Sequence, residues 1–458
     1  MDNFIKYQEF REKYKTFIYE DFKVINNQDE IILEFYFKIE GLTEFKPQIK
    51  IPKKDYIISE KIQFSDSFAF HIGMIELISY WKSTCSPNVV IKCGKLNNEQ
   101  IQWFKKLYFY GLGELFFTNN IKSDLDDFMN ITCTSEKDWK FDNDEEAEQN
   151  YNGYIFPIGG GKDSCVTIET LKQLKTNNCC LIVNPKPVTL ACAEVAGYNE
   201  DKIIVVNRKI DANLIELNKQ GFINGHTPFS SLLAFITYYM AFLTGKKYIA
   251  LSNEVSSNES NVVGEKINHQ YSKSLEFEND FRCYVEKFIK TPIEYFSFLR
   301  PLNELQIASI FSKLEQYHKI FKSCNQGSKE QVWKWCCNCP KCMFVFIILS
   351  PFLYKQKLID IFGEDLYERQ DLLKTFVELT GNGDTKPFEC VGTFEEVCFA
   401  ITKTIDNLEK QNKPLPYMLE YYKNNFELSD LSNDLTKLFN EDNNLTEEQS
   451  EILKERLN

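Results

Sequence analysis

The stretch YIFPIGGGKDSCVTIETLK, Tyr154 to Lys172, constrains this chain more than any other. An apolar run collides with three glycines, a lysine, an aspartate and a serine, and helical spacing resumes behind them. A strand that feeds a tight glycine turn into a helix N-terminus gathers free backbone N–H groups and the positive end of the helix dipole at one spot. Such a turn is a ready anion site, and a nucleotide phosphate is the natural candidate.

The segments around the turn repeat its strand-then-helix pattern. YIFPI, CCLIVNP, KIIVVNR and KYIALSNE are continuous apolar runs separated by helix-length stretches. Runs of that kind predict a parallel sheet covered on both faces, with ligands beyond the strand C-termini. Before them, EIILEFYFKI and FKPQIKIP alternate like half-buried strands, whereas HIGMIELISYWK and NEQIQWFKKLYFYGL have helical spacing. The acidic run Ser135 to Asn150 reads as a linker. The expected organisation is an α+β domain over residues 1–145, an α/β nucleotide domain over 151–350 with a doubly wound parallel sheet, and a helical region over 351–458. From about Asn440 a polar helix is expected.

With 458 residues and a net charge of −13, the chain has room for roughly two or three domains, and it does not read as a general binder of nucleic acid or membrane surfaces. An anionic ligand then needs a local basic pocket. The longest apolar run, MFVFIILSPFLY, is too short to span a bilayer, and the N-terminal residues have no signal-peptide pattern. The expectation is a cytoplasmic protein. Its fifteen cysteines are sparse except from Cys336 to Cys342, which points to metal or redox chemistry in a reducing compartment.

Two familiar phosphate loops do not fit the glycine turn. A Walker loop needs Ser or Thr after its lysine, but Lys162 precedes Asp163, and a dinucleotide fingerprint needs a third glycine inside the helix. Gly159-Gly160-Gly161-Lys162-Asp163-Ser164 instead resembles the PP-loop, Ser-Gly-Gly-x-Asp-Ser, of the ATP pyrophosphatase superfamily, with Gly159 in place of the first serine. The resemblance implies an adenine nucleotide alpha hydrolase-like fold and cleavage of ATP between its α and β phosphates. In that reading the N–H groups of Gly160 to Ser164 and the Ser164 hydroxyl cradle pyrophosphate. Lys162 adds a point charge, Asp163 orients the loop or helps to hold Mg²⁺, and Val183 and Asn184 meet the adenine.

Of four histidines, two stand in polar stretches, NGHTPFSSL (His226) and GEKINHQYSKSLEFENDF (His269). LSNEVSSNESN follows the fourth apolar run, where a pocket should lie. These stretches supply Glu254, Asn258, Asn261, Tyr271, Ser272 and Lys273 as candidate ligand groups.

GMIELISYWK, GGGKDS, NGHTPFS, SNEVSSNESN, NHQYSKSLEFE, LRPLNELQ, WCCNCPKCMFVF and KPFECVGTFEE together resemble the UDP-N-acetylmuramoyl-L-alanyl-L-glutamate epimerase family, from about residue 70 to about residue 400. The resemblance implies inversion of a terminal L-glutamate on a small-molecule UDP-sugar peptide, using ATP and Mg²⁺ and releasing AMP. Adenylating the α-carboxylate removes its charge and acidifies the α-carbon, so an acid and a base, or one group that rotates, can then invert the centre. His226 and Lys273 lead the acid/base candidates, with His269, Tyr271 and Cys390 behind them, and either leader could instead bind phosphate. Arg282 and Arg300 are candidate clamps for a carboxylate or diphosphate, or surface ion pairs. Other AMP-forming enzymes of the superfamily, an amide or nitrile synthase or a thiolation enzyme, form the alternative.

Cys324, Cys336, Cys339 and Cys342 follow the spacing Cys-x11-Cys-x2-Cys-x2-Cys, with Cys337 as an extra thiol. Four thiolates at such spacing can wrap one structural Zn²⁺. Reduced buried cysteines, or a pair of thiols acting as acid and base, are the other readings.

Overall fold

The computed structural model describes residues 3–139, 141, 151–174, 177–260, 267–324, 334–383 and 386–457. Most of the acidic run before the glycine turn, and Asn261, lie outside these residues. The fold is mixed α/β. Its strands are β1 Thr16–Asn26, β2 Glu30–Ile39, β3 Thr43–Phe45, β4 Gln48–Pro52, β5 Asn88–Ile91, β6 Asn130–Cys133, β7 Tyr154–Pro157, β8 Cys179–Val183, β9 Ile203–Lys209, β10 Tyr248–Leu251 and β11 Glu294–Ser297. The chain forms two compact units, each built from segments distant in sequence.

The first unit comprises Met1–Ile155, Ile204–Ile249 and Lys266–Tyr295. Strand β2 alternates buried and half-buried residues along its length, the period-2 signature of a strand with one face in a core. It pairs antiparallel with β1 and β4, while β5 adds parallel to β1, β6 parallel to β5, and β10 parallel to β7. All four apolar runs expected as strands are strands. One of them departs from a purely parallel sheet, because β9 pairs antiparallel with β4 through Gln48 and Lys209. The helix Ser65–Glu76 packs on β1 so closely that a Cβ on Gly73 would stand 1.9 Å from the Tyr19 hydroxyl. Its Glu76, wholly buried, takes a two-nitrogen ion pair from Arg208 of β9.

The second unit comprises Phe156–Ile203, Ala250–Glu265 and Phe296–Asn458. Its centre is the helix Pro340–Leu349, apolar on every side and buried from Cys342 to Leu349, which packs against Phe394–Lys410 and Leu373–Leu379. The helix Glu304–Ser312 packs against Lys162–Leu171. Beyond Pro351 the described residues are helices and turns, ending in the helix Glu447–Leu457. No helix among the described residues is long and apolar enough to cross a membrane.

Candidate active site

In the second unit β7 ends at Pro157, and the helix Lys162–Leu171 starts with Gly161 as its N-cap. Gly160 has φ +82°, a conformation that favours glycine, and Lys322 N donates to its carbonyl at 2.8 Å. A Cβ on Gly161 would meet the Ser323 hydroxyl at 2.9 Å, whereas one on Gly159 would meet nothing within 4 Å. No side chain caps the helix, so its first N–H groups have no partner from the cap residue. The Ser164 hydroxyl donates to the Gly161 carbonyl at 3.0 Å.

Lys162, 2 % exposed, pairs with Asp163 and with Glu304. Burial opposes its charge, but the two carboxylates outweigh burial and hold its pKa above the ordinary lysine value. Glu304 opens its helix behind the N-cap Asn303, and Glu396 Oε1 accepts from its backbone N–H at 2.8 Å. Glu254, Glu304 and Glu396 are all buried and interact with one another electrostatically. Asp163 and Glu304 meet at Lys162, and carboxylates of this kind are hard oxygen donors that suit Mg²⁺. Sequence reasoning missed Glu304 and Glu396, although the motifs that hold them, LRPLNELQ and KPFECVGTFEE, had been singled out.

Arg300 is 0 % exposed, and its Nη1 donates to the Glu254 carbonyl at 2.7 Å and to Ser257 Oγ at 2.8 Å. Asn258 ends the short turn Val255–Asn258 that this arginine braces; Val183 ends β8, and Asn184 follows it at φ +51°. Cys390 is half-buried in the same unit.

In the first unit His226, His269 and Glu114 come together. Glu114 stands in the first turn of the helix Gly113–Thr118. The loop that carries His226 is held by Asn119, which donates to the Asn224 carbonyl at 3.3 Å, and by Lys82, which donates to the Gly225 carbonyl at 2.7 Å. Glu114 Oε2 bonds to His269 Nδ1 and lies 3.8 Å from His226 Nδ1, and the two imidazole centroids are 4.2 Å apart. Burial, then His269, Lys273 and Lys82, push the His226 pKa down to about 4 against the pull of Glu114. His226 is therefore a neutral imidazole at pH 7, a base with a free lone pair. Tyr271 and Ser272 are buried, and burial raises the Tyr271 pKa. Arg282 Nη1 donates to the Tyr295 carbonyl at 2.7 Å. Glu114 was missed because a glutamate in a first helical turn reads as a partner for the helix dipole.

The four thiols of Cys324, Cys336, Cys339 and Cys342 lie within 4.8 Å of one another, with Cys336 and Cys339 each 3.5 Å from Cys342. Zn–S bonds of about 2.3 Å in a tetrahedron set sulfurs about 3.8 Å apart, so this donor set fits zinc. Cys337 stays outside and donates to the Phe362 carbonyl at 3.3 Å.

Family models match this chain over most of its length: the MurL N-terminal domain over residues 8–298 and the MurL C-terminal domain over residues 320–428. Three curated relatives carry the name UDP-N-acetyl-alpha-D-muramoyl-L-alanyl-L-glutamate epimerase. The protein of Xanthomonas oryzae pv. oryzae is 33 % identical over 71 % of this chain and 71 % of its own, and that of Micromonospora sp. is 31 % identical over 74 % of each. The protein of Salinispora tropica is 36 % identical over 54 % of each. The matched span includes the glycine turn, the paired histidines and the four thiols, and on this agreement the chain belongs to the MurL family.

Proposed function

We propose that this chain is a cytoplasmic, ATP-dependent epimerase that converts the terminal L-glutamate of UDP-MurNAc-L-Ala-L-Glu to D-glutamate, releasing AMP and pyrophosphate in peptidoglycan precursor synthesis. The relatives' names supply the substrate. The observation that carries the chemistry is the imidazole pair in which His269 bonds Glu114 and His226 lies 3.8 Å from the same carboxylate, under the influence of Lys273 and Lys82, because it can move a proton next to an anion.

The glycine turn is the ATP site, in a doubly wound PP-loop fold flanked by the N-terminal and C-terminal regions drawn from the sequence. ATP supplies an activating group: a carboxylate oxygen attacks the α-phosphorus, pyrophosphate leaves, and the acyl-adenylate loses its α-proton more readily than the carboxylate. Mg²⁺, when bound, neutralises phosphate charge, and Asp163 with Glu304 would hold it. Open space over Gly159 and the uncapped N–H groups of the following helix receive the phosphates. Arg300 keeps Glu254 in place from behind. The four thiols would hold a structural zinc that braces the second unit.

A base and an acid on opposite faces of one carbon each approach to about 3–3.5 Å, so their acting atoms stand about 6–7 Å apart. Two imidazoles with centroids 4.2 Å apart cannot flank the carbon. His226 and His269 therefore serve one face, with neutral His226 taking the proton and Glu114 holding His269 as its neighbour. Lys273 serves the other face, since Tyr271 is buried and held to its phenol form. Water then releases AMP from the inverted adenylate.

The test is turnover of UDP-MurNAc-L-Ala-L-Glu in D₂O with ATP and Mg²⁺. D-Glutamate carrying deuterium at the α-carbon, with AMP formed and with exchange absent when ATP is withheld, is the expected result. Inversion without ATP, or without deuterium, overturns the adenylate route and returns the thiol pair.

A further inference from the structure

The first unit holds a cavity of about 270 Å³ that the chemistry above does not use. One part of its wall is aromatic, with Trp139 and Phe288, and another is cationic, with Lys95, Lys287 and Lys290, against the single carboxylate of Asp138. Lys95 and Lys287 form ion pairs with exposed partners, Glu136 and Glu99, which compete weakly for them in water. Lys290, at φ +54°, makes no ion pair among the described residues.

His71 lines the same cavity and is 3 % exposed. Its Nδ1 bonds the Ser67 carbonyl at 2.7 Å, which assigns the proton to Nδ1 and leaves Nε2 with a bare lone pair. That Nε2 has no hydrogen-bond partner among the described residues. An unpaired buried acceptor in a residue that lines a cavity is a group that a ligand donor can satisfy.

The cavity has a fixed relation to the histidine cluster. The helices Asn98–Gly111 and Leu275–Phe288 run antiparallel, linked by Glu99 with Lys287, Gln100 with Tyr284, Trp103 with Asp280 and Lys106 with Glu276. The ladder ends where Tyr110 meets Tyr271 at 5.2 Å, beside the loop that carries His269. From Glu99 to Tyr110 it covers roughly eleven residues of helical rise, about 16 Å. The cavity sits at one end of this pair and the histidine cluster at the other.

We infer that this cavity is the uridine diphosphate subsite: the uracil ring lies between the aromatic side chains with its imide N–H toward His71, and the diphosphate lies at the lysines. The inference rests on the epimerase reading, in which a uridine diphosphate and the reacting glutamate stand at opposite ends of one extended substrate. The volume takes a base and part of a ribose, not a whole substrate.

The experiment titrates the full-length enzyme with UDP, and separately with ADP, by calorimetry. UDP is expected to bind tighter than ADP. Lys290→Glu is expected to weaken UDP by about tenfold or more and to raise KM for the UDP-linked substrate by a like factor, with kcat and melting temperature kept. Lys95→Glu should do the same, and His71→Phe should abolish the preference for UDP over ADP. Failure of the wild type to bind UDP, unchanged UDP binding in both lysine variants, or equal binding of ADP that falls with UDP in them, overturns the subsite. The two readings separate cleanly: turnover in D₂O with UDP binding unmoved by Lys290→Glu removes the subsite alone. UDP binding lost in Lys290→Glu, without turnover of the glutamyl substrate, removes the epimerase reading alone.

Discussion

Lys162 and Glu304, at 2 % and 5 % side-chain exposure and far apart in sequence, form a buried ion pair next to the glycine turn. Two charges withdrawn from water stabilise a fold only as partners, so losing one costs more than replacing both. Glu304→Gln should lower stability by about 3–5 kcal/mol in urea unfolding, while Lys162→Met with Glu304→Met should recover most of that loss. A double variant as unstable as the single one would show that the pair is not what holds this region.

Gly159 and Gly160 should respond differently. A side chain at Gly159 meets nothing within 4 Å, so Gly159→Ser should keep stability within about 0.5 kcal/mol, and any change in ATP use reports on the ligand cradle. Gly160→Ala forces φ +82° on a residue with a Cβ and brings it to 3.0 Å from Val188, so it should lose about 1–2 kcal/mol or more. Equal melting temperatures for the two variants would contradict this backbone account.

Glu114 acts through the imidazoles rather than on the nucleotide. Glu114→Gln should cut α-proton exchange by about 10²-fold while AMP formation from ATP continues, because His269 loses the carboxylate that holds it and His226 loses the charge that favours its protonation. A parallel fall in AMP formation would place Glu114 in substrate binding.

The protein should carry about one zinc per chain when purified without chelator, measured by elemental analysis. Cys339→Ser should lose the metal and lower the melting temperature, whereas Cys337→Ser should keep it. Retention of zinc by Cys339→Ser would remove that thiol from the site.

Acid should weaken the first unit through its histidines. Burial holds His71 at about 4, and burial with His269 holds His226 at about 4, against about 6.5 in an unfolded chain. Between those values the unfolded state binds more protons, so the stability these groups contribute is complete above about pH 6.5 and is lost as pH falls toward 4. His71→Asn, which cannot titrate there, should flatten the fall of melting temperature over that window. An unchanged slope would assign the acid sensitivity elsewhere.

The residues of β7 to β10, the glycine turn and the thiols of Cys336, Cys339 and Cys342 were legible because each is written in neighbouring residues: an apolar run, a Gly-Gly-Gly before a helix, thiols three apart. The long strand Thr16–Asn26 was not singled out, since charges interrupt its apolar residues and its burial comes from β2 and β5 on either side. The pairing of β9 with β4 was equally hidden, because an apolar run states that a strand is buried and not which strand it meets.

Composition, periodicity and motif spacing by themselves determined that this chain builds strands between helices, presents an anion-binding turn and gathers four thiols. Tertiary structure decided which carboxylates matter. Glu114 and Glu304 carry no local mark, and they become a histidine partner and a lysine partner only when segments distant in sequence close on one another; Glu396 stands in the local Thr393-x-x-Glu396 capping box, but only the fold brings it to the N–H of Glu304. A buried charge needs its counter-charge within a few ångströms, and that distance is a property of the folded chain, not of residue order.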